Sequence, residues 1–231
     1  MNGIAGAESL QPNHFSLRLC QLFNSMIEFL YYLLIVFIVF FENYRFAIQA
    51  AARVFAEHGY HGASTKLIAN EKGIKQGSLY YYFKSKQDAL AEVCLYGLTD
   101  YVERLQLISS AEQPFAAQIV AVFSAHLSAY RERNEALKVY NDERHYLPED
   151  ARTEIKRLGS LYRQELEAML ERAVTVGDLR AEVDCHFAAQ AIIGIGNAWG
   201  DLIVRDSQLD IVALTQKCSD MIMNGFANRN R

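Results

Sequence analysis

An all-α chain is predicted, in which a small basic three-helix module precedes a larger helical body. Three observations carry this. Apolar residues recur at helical spacing through most of the sequence, with no sustained alternation of the kind a sheet requires. Only three prolines interrupt 231 residues, while Ala, Leu and Ile are abundant. Charge is also segregated: residues 45–90 hold seven Lys or Arg against three acids, so the rest of a chain of net charge −4 carries −8. A basic module on an acidic body suits binding of a polyanion by one part and a different task for the other. The expected division is an N-terminal extension over 1–43, a helix-turn-helix domain over 44–90 and a helical body for ligand binding and dimerisation over 91–231.

Residues 1–26 show no clear pattern, and residues 27–41, IEFLYYLLIVFIVFF, are the most hydrophobic run in the chain. Fifteen residues fall short of the roughly 20 that span a bilayer, although adding Leu22 to Met26 brings the run close. It makes a poor signal peptide, because one Arg precedes it and ENYRF after it offers no small-residue cleavage site. Three readings stand: a membrane anchor, a helix packed on the body or on a partner subunit, and an extension upstream of the true start. The last two are favoured, since the amphipathic helix that follows is complete without this stretch.

That helix runs from about Tyr44 to His58, with Ile48, Ala51, Ala52 and Phe55 on one face, and Gly59 ends it with Tyr60 beyond. His58 and His61 lack Cys or carboxylate partners at ligand spacing and read as loop histidines rather than metal ligands. Next comes STKLIANEKGIKQGSLYYYFKSK, residues 64–86. Ser64 or Thr65 can cap a first short helix, Gly73 supplies a positive-φ turn, and a second helix is expected from about Gln76 to Phe83. Leu79 and Phe83 face inward, leaving Gly77, Ser78 and Tyr81 outward. Lys66, Lys75, Lys84 and Lys86 surround that face with positive charge, and Tyr80, Tyr81 and Tyr82 add hydroxyls able to reach phosphates. A helical corner with half-buried tyrosines would show the same spacing.

The run AARVFAEHGYHGASTKLIANEKGIKQGSLYYYFKSKQDAL closely resembles the DNA-binding domain of TetR/AcrR-type transcriptional regulators over about residues 45–92. The resemblance rests on Ala51-Ala52 with Phe55, Gly59-Tyr60, Thr65, Ile68-Ala69, Gly73-Ile74, and Leu79-Tyr80-Tyr81-Tyr82-Phe83 followed by Lys86. Tyr82 stands where the family often has His, and Lys72 where a small residue is common. The resemblance implies that Thr65 contacts phosphate, that Lys66 contacts phosphate or base, and that Lys75, Gln76, Gly77 and Ser78 open a recognition helix in the major groove. It also implies phosphate or thymine-methyl contacts from Tyr80, Tyr81 and Tyr82, and a phosphate contact from Lys86 beside the amides of the next helix. The implied partners are a double-stranded, near-palindromic operator and a second copy of the chain. The implied action is that of a repressor released by a small effector.

Ser85 and Asp88 form a capping box for a long helix expected to reach about Ile108. The body follows with helices from Pro114 through Tyr130, from about Asn134 to Tyr146, from about Glu149 to Val176 with Gly177 closing it, and over about 184–205 and 208–226. The first of the last pair carries Ala189, Ile193, Gly196 and Gly200 at i, i+4, i+7 and i+11. This small-residue stripe reads as part of a homodimer interface, the alternative being close packing within one subunit.

No H-E-x-x-H, G-x-S-x-G or phosphate-loop spacing occurs, so no catalytic residue, metal or cofactor is expected, and Asp142, Glu143 and His145 read as a polar helix end. The scattered Cys20, Cys94, Cys185 and Cys218 read as reduced thiols of a cytoplasmic protein. A small-molecule pocket is expected instead from Phe123, Tyr130, Tyr140 and Trp199 with His126, Asn141, Arg144 and Asn197 as polar partners. The body more loosely resembles regulators that sense acyl-CoA or other lipid-derived metabolites, which points to a mostly apolar effector. A membrane-associated sensor anchored through residues 27–41 is the competing reading.

Overall fold

A computed structural model describes residues 14–228, with side chains described from residue 26 onward. Residues 1–13 of the expected extension and the Cys20 thiol therefore lie outside what is described. The described residues form ten α-helices and one 3₁₀ turn. Contacts divide the chain into units 1–45 and 46–231, a boundary two residues from the expected one.

Helix α1 is assigned over His14–Gly62. In the first unit its large apolar side chains from Met26 to Phe41 are exposed on every side of the helix. In the second unit α1 turns amphipathic, burying Ile48, Ala51, Ala52 and Phe55. At Gly59, expected to end the helix, the chain instead kinks with φ +66° and one further turn follows to Gly62.

α2 (Thr65–Lys72) is capped by the Ser64 hydroxyl, which accepts from the Leu67 amide, and Gly73 closes it in the left-handed conformation. The Ile74 amide bonds back to the Ala69 carbonyl at 2.9 Å, completing the reversal. α3 is regular only over Gln76–Leu79, and single turns carry the chain on to Phe83. Ile68, Leu79, Phe83 and Leu90 close the core of this three-helix module.

α4 (Lys86–Gly97) and α5 (Tyr101–Ser110) replace the one long helix expected over 85–108. The break falls at Leu98–Asp100, and Asp100 is the one non-glycine with positive φ among the described residues. Buried Arg133 holds it open: its Nη1 donates to the Tyr96 carbonyl at 3.1 Å and to the Thr99 carbonyl at 2.6 Å, satisfying groups that a continuous helix would have used itself. Then come α6 (Phe115–Glu132), α7 (Asn134–Glu143), a 3₁₀ turn (Arg144–Tyr146), α8 (Glu149–Val176), α9 (Cys185–Arg205) and α10 (Ile211–Phe226). α6 lies centrally against α9 and α10, α5 packs on α8, and α4 packs on α7. Two apolar clusters result. One gathers Leu105, Ile119, Phe123, Leu166, Met169 and Ile192, the other Leu127, Tyr130, Leu137, Ile203 and Leu214.

Candidate nucleic-acid interface and effector cavity

The turn at Gly73 and the short α3 place the sequence-predicted DNA-contact residues at one corner of the second unit. Lys66, Lys75, Gln76, Gly77 and Ser78 are all exposed, as are Tyr80 and Tyr81, at 54% and 72% of their residue surface. Gln76 Nε2 donates to Thr65 Oγ1 at 3.0 Å, which ties the start of α3 to the start of α2. No Cβ would meet an obstacle at Gly77, so this glycine is not required by packing and leaves backbone open to an approaching surface. Tyr82 is half-buried, with the Lys72 ammonium 4.8 Å from its ring centre. The two departures from the family pattern thus meet each other.

Lys86 is placed differently from expectation. Its Nζ donates to the carbonyls of Tyr60 at 2.8 Å and Ala63 at 3.1 Å and sits 4.4 Å from the Tyr60 ring centre. The side chain caps the end of α1 rather than reaching outward to phosphate, because α4 starts directly beneath that helix end. Tyr60 in turn stacks on Tyr146 of the 3₁₀ turn, centroids 4.9 Å apart, and Gln87 Nε2 donates to the Tyr146 carbonyl at 3.1 Å.

In the body a cavity of about 390 Å³ opens between α5, α6, α7, α8 and α9. Six of the eight expected residues line it: His126, Tyr130, Tyr140, Asn141, Arg144 and Asn197. Phe123 does not, being wholly enclosed in the first apolar cluster, and Trp199 packs against both clusters instead. On α9 these two classes separate by face. Ile193, Asn197 and Asp201 look into the cavity at steps of four, whereas Trp199 falls on the flank.

The lining that periodicity did not reveal includes Leu98, Tyr101 and Val102 on both sides of the α4–α5 break, and Ile155, Leu158, Gly159 and Tyr162 on α8. The one hint was Gly159, a glycine inside a long helix, open on the side where a Cβ would stand.

Inside the cavity His126 and its neighbours form a connected polar set. His126 Nε2 lies 3.1 Å from Asn197 Oδ1, which also accepts from the Tyr130 hydroxyl at 3.3 Å, and His126 Nδ1 lies 3.4 Å from the Tyr162 hydroxyl. Burial depresses the His126 pKa to about 4, with the Asn197 hydrogen bond pulling weakly the other way, so the ring is neutral at physiological pH. Burial likewise raises the pKa values of Tyr101, Tyr130 and Tyr162, keeping their hydroxyls protonated. Asn141 Nδ2 donates to Asp201 Oδ1 at 2.6 Å, and the Arg144 guanidinium lies 5.4 Å from the Tyr140 ring centre. Burial and the charge of Glu143 push the Cys94 thiol up to about 12, which makes it inert.

The stripe Ala189, Ile193, Gly196 and Gly200 faces the subunit's own interior, which corrects its reading as a dimer surface. Ala189 is buried in the first cluster, and Ile193 lines the cavity. A Cβ at Gly196 would stand 2.8 Å from the His126 ring, and one at Gly200 2.3 Å from the Tyr130 ring. These glycines let α6 bring its two polar aromatics against α9. The opposite face of α9 is the exposed one, carrying Phe187, Gly194, Ala198 and Leu202, and α10 exposes Val212 and Met221.

Comparison with known proteins agrees with this division of labour. Residues 47–93 match the family described as "Bacterial regulatory proteins, tetR family", and residues 112–226 match "Tetracyclin repressor-like, C-terminal domain". A fatty acid metabolism regulator protein of Bacillus subtilis is 26% identical over 188 residues, covering 81% of this chain and 97% of that protein. The crystal structure of the B. subtilis regulator FadR in complex with stearoyl-CoA superposes with a TM-score of 0.67 at 26% identity, over 79% of this chain and 98% of that one. The TetR-family regulator PfmR of Thermus thermophilus gives 0.69 at 23% identity, over 77% and 97%, a likeness of fold.

Proposed function

Because the chain belongs to the TetR family of DNA-binding transcriptional regulators, we propose that it is a homodimeric repressor in the cytoplasm whose operator affinity falls when an acyl-CoA or related lipid-derived effector enters the α5–α9 cavity. The family is one of regulators, so the chain is a ligand-responsive DNA-binding protein and not an enzyme. The observation that carries the effector reading is the cavity itself. Its volume falls in the range of small-molecule sites, its walls combine aliphatic side chains with tyrosines and fixed polar groups, and a similar fold holds stearoyl-CoA in a relative.

The DNA contacts we assign to Thr65, Lys66, Lys75, Gln76, Gly77, Ser78, Tyr80, Tyr81 and Tyr82 rest on their shared corner and, for all but Thr65 and Tyr82, on their exposure. Lys86 acts from behind, by holding α1 to α4. The working boundaries are 1–43, 44–90 and 91–231, and the family matches begin at residue 47, beyond the apolar run. Nothing in the relatives supports a membrane-anchored sensor. We assign dimerisation to the outward faces of α9 and α10.

Selection of bound sequences from random duplex DNA, repeated with acyl-CoAs of graded length, tests the whole reading. A two-fold-symmetric site whose recovery falls with one chain length is expected, with half-sites about one turn, roughly 34–36 Å, apart. No enrichment, or enrichment indifferent to every acyl-CoA, would overturn it.

A further inference from the structure

One amide oxygen fixes the hydrogen-bond directions inside the cavity. Asn197 Oδ1 can only accept, so the imidazole proton of neutral His126 sits on Nε2, which faces it at 3.1 Å. Nδ1 is then the lone-pair nitrogen and accepts a hydrogen bond from the Tyr162 hydroxyl, while the Tyr130 hydroxyl donates to the same Oδ1. Tyr101 directs its hydroxyl to the His126 carbonyl at 3.5 Å. Every proton of the inner aromatic set is thereby committed within the protein. One polar group of the set remains: the Asn197 NH₂, two donors on an exposed side chain at the cavity wall that meet no acceptor among the described residues.

Charge narrows what can meet those donors. Arg144 and Asp201 are the two formally charged residues of the lining. Asp201 follows Asn197 by one helical turn on the same face, so an anion held by Asn197 would sit beside a carboxylate. Arg144, in the 3₁₀ turn after α7, is exposed and lies against Tyr140.

We propose that Asn197 determines effector specificity, its amide donating to a neutral oxygen acceptor, a thioester or keto carbonyl, so that the cavity takes acyl thioesters or ketones and rejects free carboxylates. The inference rests on the cavity being the effector site.

The test is calorimetric titration of the full-length protein with four probes of one chain length: dodecanoyl-CoA, its thioether S-dodecyl-CoA in which a methylene replaces the carbonyl, 2-tridecanone, and dodecanoate. The expected result is binding of the thioester or the ketone about fivefold tighter than the thioether and the carboxylate, the size of one net charge-neutral hydrogen bond. Asn197→Asp keeps an oxygen for His126 and Tyr130 to donate to but removes the NH₂, and is expected to abolish that preference. Asn197→Leu, with folding checked by thermal unfolding, should reduce it to within about twofold. Thioester against ketone tells which carbonyl source the cavity takes. Equal binding of thioester and thioether by the wild-type protein, tight binding of dodecanoate, or a preference that survives both substitutions would overturn the proposal while leaving the effector site standing. Binding of no probe would overturn the proposal together with the reading of the cavity on which it rests.

Discussion

His126 shows how one buried side chain can set a solution property. Its pKa is about 4 in the folded protein and ordinarily near 6.5, so below neutrality the unfolded chain binds a proton that the folded chain refuses. Stability from this group is fully present above about pH 6.5 and is lost as pH falls toward 4, by up to roughly 3 kcal/mol across the window. Urea unfolding at pH 7 and pH 5 should show the loss in the wild type and a smaller one in His126→Gln; an identical pH dependence in both would contradict the assignment. In the sequence His126 and Asn197 read as polar partners of aromatics such as Tyr130; periodicity of 3.6 places His126 and Tyr130 on one face of α6, whereas only the fold brings Asn197 of α9 to them. Gly196 and Gly200 were not legible in the same way. A small residue on a helix signals that something approaches closely, but it cannot say whether the visitor is another subunit or, as here, the rings of His126 and Tyr130.

At the level of elements, the local rules of capping and turning were fully readable: Ser64, Gly73, Ser85 and Gly177 each do what their residue type dictates. The break between α4 and α5 directly follows Gly97, but one glycine in a helical run does not by itself stop a helix, and a distant residue, Arg133, makes the break favourable by occupying the freed carbonyls. Lys86 carries a second role for a related reason, since a lysine at the first turn of a helix suits an anion equally well until the fold sets a helix end above it. The two roles predict different salt behaviour. Replacing Lys66 or Lys75 by Ala should lower the slope of log affinity for DNA against log salt by about two for each substitution, one lost phosphate contact in each half-site of the dimer. Lys86→Met should weaken DNA binding and lower the melting temperature while leaving that slope within the error of the wild type. A slope change equal to that of Lys66→Ala would return Lys86 to the phosphate-binding set.

The molecule as a whole presents two operator-facing corners only if two copies associate, and the exposed face of α9 is the surface proposed for that association. Phe187 at 64% and Leu202 at 45% exposure are costly to leave in water, and with Gly194 and Ala198 they form a row on which another helix can lie closely. Leu202→Glu should shift the protein from dimer to monomer in analytical ultracentrifugation and abolish operator binding, with the helical content by circular dichroism unchanged. A dimer that persists would place the interface elsewhere. Finally, the stack of Tyr60 on Tyr146, the Gln87 bond to the same residue, and the 3.2 Å bond from Lys138 to the Ala56 carbonyl knit the DNA-facing helices to the body. Neither part can melt without stripping partners from the other, so heating should give one cooperative endotherm whose calorimetric and van't Hoff enthalpies per folding unit agree, where loosely tethered domains would give two.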